Sequence, residues 1–82
     1  MKVLPVHSEI LAYCKRRDLE KKFTKQIRLL EQDIRHPSLG VELLEPKMLR
    51  FFSFRIDKKY RAIFIFREEG SIEIVDVNNH YR

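Results

Sequence analysis

The chain has no tryptophan, one cysteine, two glycines and three prolines among its 82 residues. A single cysteine rules out an intrachain disulfide and fits a reducing compartment. Cys14 lies beside Ile10 and Leu11 in a helical pattern and reads as a small buried hydrophobe. So little glycine and proline leaves no room for linkers or low-complexity segments, and there is no internal repeat. No run of about 18 apolar residues is present to span a bilayer. "MKVLPV" is too short for a signal-peptide core and leads at once into His7 and Glu9. The expectation is a soluble, cytoplasmic protein with no membrane contact. Also missing are CxxC, HExxH, a Walker loop and GxGxxG, so the common metal and nucleotide signatures are absent. His7, His36 and His80 lack metal-ligand spacing, and no metal site is expected. Ser8, Ser38, Ser53 and Ser71 each have a simpler reading as a cap, turn or strand residue than as a nucleophile.

Basic charge, by contrast, is plentiful. Seventeen lysines and arginines against twelve acids give a net charge of +5. That excess favours a polyanionic partner, either nucleic acid or an acidic protein. Acids interrupt the basic runs, which predicts a local patch in preference to a cationic arm. The length and the 44% apolar content suit one globular domain over residues 1–82.

"KVLPV" reads as a short first strand that Pro5 confines to an edge. Ser8 is the expected N-cap of a helix through "EILAYCKRR", with Ile10, Leu11 and Cys14 on one face. Asp18 is the expected cap of a second helix. Along it Leu19, Phe23, Ile27, Leu30 and Ile34 recur at steps of four, four, three and four. That is an amphipathic stripe. Pro37 stops the helix near Arg35 or His36. With almost no loop between them, the two helices should form an antiparallel hairpin.

After Gly40 the period changes to alternation. "VELLE" is a short strand ended by Pro46. "LRFFSFRI" places Phe52, Phe54 and Ile56 on one face and Phe51, Ser53 and Arg55 on the other. "DKK" turns the chain into "YRAIFIF", apolar on both faces and so expected inside the sheet. "REEG" turns it again into a last strand, "SIEIVDV". Connections this short imply an antiparallel meander. The expected fold class is α+β. It comprises an N-terminal strand and a helical hairpin on one face of a twisted, mainly antiparallel sheet of four or five strands.

The sheet half carries the candidate chemistry. Arg55 points away from the face of Phe52, Phe54 and Ile56. Arg61 shares a side with Ile63 and Ile65, and alternation alone leaves open which side faces the helices. One reading makes both arginines surface residues paired with Asp57, Glu73 or Asp76. The other makes them a phosphate clamp, for which the planar guanidinium fork is suited. Histidine is the side chain whose unperturbed charge change falls near neutral pH, so His80 suits proton transfer, and Tyr81 suits stacking or phosphate orientation. A plain polar tail is the alternative for both. Lys47, Lys58 and Lys59 are the candidate substrate-binding cations.

Taken in order, "HPSL", "FSFRI", "KKYRAIFIF", the final "G-x-I-x-I" strand and the "HY" after it resemble the RelE/ParE superfamily of bacterial toxins. The RelE/StbE, or plasmid-stabilisation, branch is the nearest. The resemblance covers residues 36–82. It implies a type II toxin held by a cognate antitoxin and acting as a ribosome-dependent messenger RNA endonuclease, monomeric when free. Its nucleolytic members activate a ribose 2′-hydroxyl against the adjacent phosphate and use no metal or other cofactor. Arg61 then matches the arginine that clamps the transition state, and Arg55 a basic position on the preceding strand. His80 matches the acid or base, and Tyr81 the stacking or orienting aromatic. Some members carry a catalytic glutamate just after the helix-ending proline. Here that place is Ser38, with Glu45 nearby in sequence, and "GVELL" lacks the basic or histidine residue of close relatives. A ParE-like DNA gyrase inhibitor and a catalytically degenerate RNA-binding relative are the alternatives, and the terminal His-Tyr favours the nuclease.

Overall fold

A computed structural model describes residues 1–79. Helix α1 spans Ser8–Arg16 and helix α2 spans Glu20–Gln32. Four strands come after them: β1 Glu42–Leu43, β2 Phe52–Arg55, β3 Tyr60–Phe66 and β4 Ile72–Asn79. They pair in sequence order, and every neighbouring pair is antiparallel. The meander expected from the short turns is therefore the observed sheet, with β2 and β3 inside it. The helices pack on one face, which makes the domain α+β.

Burial follows the periodicities. Ile10 and Cys14 of α1, and Phe23 and Leu30 of α2 together with Leu19 just before it, meet Phe54, Ala62, Phe64, Ile72, Ile74 and Val77 of the sheet. Phe23 and Phe54 stack with ring centroids 6.5 Å apart. Each such ring removed from water contributes about 1.5–3 kcal/mol. Leu39, from the 3-10 turn Pro37–Leu39, closes the core beside α2. One register shift decides which residues of β4 face away from the helices. Ile63 pairs with Asp76 whereas Phe64 pairs with Ile74, so Val75 is the extra residue of a β-bulge. The bulge keeps Ile72, Ile74 and Val77 on the helix side and turns Asp76 and Asn78 to the other.

Several boundaries differ from expectation. The first strand shrinks to Val3, which makes one parallel bridge to Ile72. Ser8 is the first helical residue of α1, and the cap position belongs to His7, without a side-chain cap bond. Asp18 adopts φ +57 and Leu19 holds the cap position of α2. Leu11, expected on the buried stripe, is 48% exposed. Helix α2 ends at Gln32, before Pro37 can act. Asp33 is extended, and its carboxylate accepts the Arg35 backbone N–H at 3.0 Å. A short aspartate competing for backbone amides ends the helix one turn early.

Candidate functional site

The sheet face turned away from the helices collects the polar residues of all four strands. Two cross-strand rows build it. Glu42, Ser53, Ile63 and Asp76 form one, and Arg55, Arg61 and Asn78 form the next. The alternation left open by β3 is thus resolved: Arg61 lies on the face opposite the helices.

Arg61 is only 8% exposed despite that position. Its Nε donates to Ser53 Oγ at 3.0 Å, and Nη2 donates to the Gly40 carbonyl and reaches the Ser53 carbonyl at 3.5 Å. The guanidinium is therefore fixed by its neighbours before any ligand arrives. Burial pushes its pKa down and the Arg55 charge adds to this, while the Glu42 carboxylate works the other way. It remains a cation at neutral pH. Arg55 stands directly across from Arg61 in the β2–β3 register and is exposed.

Gly40 makes this approach possible. It has φ +51, and a Cβ there would stand 3.3 Å from Arg55 Nη2 and 3.8 Å from Arg61 Nη1. Both guanidinium groups thus converge on a backbone position where a side chain is disfavoured twice, by conformation and by space.

The carboxylates expected as partners for the arginines are engaged elsewhere. Asp57 accepts the backbone N–H groups of Lys59 and Tyr60 at 2.8 Å each and pairs with Lys22 at 3.4 Å. Glu73 pairs with His7 at 2.8 Å and with Arg67 at 3.7 Å. Asp76 accepts from Asn78 Nδ2 at 3.3 Å. Among the described residues neither Arg55 nor Arg61 has an ion-pair partner within 4.0 Å.

Glu42 is the residue that reading by spacing missed. Counting from Pro37 directs attention to Ser38 and Glu45, yet Ser38 belongs to the 3-10 turn and its backbone N–H donates to His36 Nδ1 at 3.2 Å. Glu42 pairs with Ser53 in the β1–β2 register, on the Arg61 face, close enough for its charge to act on Arg61. Pairing β1 to β2 back from the Leu44 to Phe51 hydrogen bond finds it.

Lys58 and Lys59 lie in the β2–β3 turn, just beyond the Arg55 and Arg61 pair, and both are exposed. Lys47 is not brought to them. It sits in the 3-10 turn Lys47–Leu49, at the opposite end of β2. His80 and Tyr81 lie outside the described residues; Asn78, two residues before His80, stands across from Arg61. Among the described residues no group of three His, Cys, Asp or Glu side chains comes together to hold a metal ion. No helix among them is long and apolar enough to cross a membrane.

No protein-family model matches the chain, and no curated protein matches it. A solved structure does. The YoeB/ParE toxin from Agrobacterium tumefaciens aligns over 99% of this chain and 100% of its own, with a TM-score of 0.74 and 21% sequence identity. Agreement over both whole chains at so low an identity is agreement of fold. From α1 to the last described strand, the chain has the fold of a YoeB/ParE toxin, in keeping with its resemblance to the RelE/ParE superfamily.

Proposed function

We propose that this protein is the toxin of a type II toxin-antitoxin system and acts as an endonuclease on messenger RNA held in the ribosomal A site. One observation carries the reading beyond fold. Arg55 and Arg61 face each other across β2 and β3 without a carboxylate pairing either one among the described residues. Like charges directly opposite on a sheet are destabilising. A bound phosphate would relieve that repulsion, and two guanidinium groups suit the extra charge of a pentacoordinate phosphorus.

In this reading Glu42 takes the proton of a ribose 2′-hydroxyl, whose oxygen attacks the adjacent phosphorus. Arg61 and Arg55 hold the equatorial oxygens as charge builds. The bond to the 5′-oxygen breaks, that oxygen receives a proton, and a 2′,3′-cyclic phosphate remains on the upstream fragment. His80 is assigned to the proton donor and Tyr81 to stacking or phosphate orientation. Lys58 and Lys59 attract the RNA chain, and no metal takes part in the scheme. Basic charge in excess suits an acidic antitoxin segment as the inhibitor.

Inducible expression followed by primer extension on cellular messages tests this. Codon-phased cuts that disappear with Arg61→Ala are the expected result. Double-strand DNA breaks with intact messages would overturn it in favour of gyrase poisoning, the ParE-like alternative. Normal growth with a folded protein would identify a degenerate relative.

A further inference from the structure

A second concentration of positive charge lies outside the Arg61 face. Lys22 and Lys25 of α2, Lys58 of the β2–β3 turn and Arg55 surround a cavity of about 380 Å³ at the rim of the sheet. Gln26, Ser38, Ile56 and Asp57 complete its lining. Four cations thus stand around one carboxylate, and that carboxylate is occupied in fixing the turn and pairing Lys22.

The fold builds the floor of this groove. Strand β1 covers β2 only at Ser53 and Phe52, so the Arg55 carbonyl lies at an uncovered edge. Gln26 fills the gap. It is 6% exposed, and its Nε2 donates to the Arg55 carbonyl at 2.8 Å and to the Ser38 carbonyl at 3.3 Å. A buried glutamine therefore ties α2, the 3-10 turn and β2 together directly below the cations.

We infer that this groove binds the sugar-phosphate backbone of the same RNA strand, next to the nucleotides at the Arg61 face. Arg55 belongs to both places and joins them into one track over the sheet rim. The lining favours a phosphodiester chain over a protein segment. An amphipathic helix or strand needs apolar holes for its anchors. The one aliphatic side chain in the lining, Ile56, is 4% exposed. Phosphates ask only for cations and hydrogen-bond donors. The inference rests on the reading of the Arg61 face as an RNA site.

Titration of the isotopically labelled full chain with 2′-O-methyl oligouridylates, which resist the cleavage chemistry, tests it by NMR. An oligomer of about ten nucleotides, within the span of single-strand sites, should shift the Gln26 side-chain amide and the Lys22 and Lys25 signals together with Arg61 Nε–H and Ser53. One of about three nucleotides should shift only the Arg61 and Ser53 set. The double variant Lys22→Gln, Lys25→Gln should weaken the longer oligomer about tenfold and flatten its salt dependence by about 0.7 for each phosphate no longer neutralised. It should leave the shorter oligomer unaffected. Shifts confined to the Arg61 set, or a variant with unchanged salt slope, overturn the groove and leave the Arg61 site standing. No shift with either oligomer overturns both. A polyglutamate peptide that moves the Gln26 and Lys25 signals when the oligomers do not replaces RNA with an acidic protein partner.

Discussion

Glu42→Gln removes a charge from an exposed edge-strand side chain without touching the core. As the assigned base, it should lower the single-turnover cleavage rate by about 10²–10⁴, with an unchanged melting temperature. A parallel loss of rate and melting temperature would mean a structural role instead. Gly40→Ala works in the opposite sense. A left-handed conformation costs a residue with a Cβ about 1–2 kcal/mol, and that Cβ would press on Arg55 Nη2. In a domain of this size each kcal/mol lowers the melting temperature by about 4–8 °C. Calorimetry should register that loss, and activity should fall with it because both arginines must shift. Cys14 belongs to neither kind. Burial is the main cause of its raised thiol pKa, with Glu20 adding to it and Arg17 opposing, so it is inert packing material.

At the scale of elements, the β2–β3 hairpin carries a pH signature. Burial acts to raise the Asp57 pKa, but the amides of Tyr60 and Lys59 and the Lys22 ammonium outweigh it and hold it below the ordinary value. A depressed folded-state pKa stabilises above the unfolded value, about 3.9, and that stabilisation is lost as pH falls through the folded value. Asp57→Asn should therefore cost about 1 kcal/mol at neutral pH. The gap between the wild-type and variant melting curves should stay constant down to about pH 5 and close below about pH 4. A gap that persists in acid would trace the effect to turn geometry and not to charge. The same elements show what a sequence can disclose. Short turns and alternation announce the meander, and steps of three and four announce α2. The facing of Arg61 is hidden because β3 is apolar on both sides. It depends on pairing with β2, which is a relation between segments. Glu42 is hidden because its strand has two residues, too few for a period to emerge.

For the molecule as a whole, the described helices and sheet are in place by Asn79. A chain ending there should melt within a few degrees of the full protein, since every described core residue is kept. It should no longer arrest growth, because His80 and Tyr81 go with the cut. Growth arrest by the shortened chain would remove both residues from the mechanism and leave Glu42 and the arginines to act alone.

Finally, Val3 is joined to Ile72, and the backbone of Leu4 donates to Ile72 while that of Ile72 donates to Lys2. The meander grows by contacts between neighbouring strands, but this seam unites segments far apart in the sequence. During translation the early segment must wait for its partner to emerge, since contacts of high sequence separation form only after the intervening chain exists. The seam therefore stays open until Ile72 has been made.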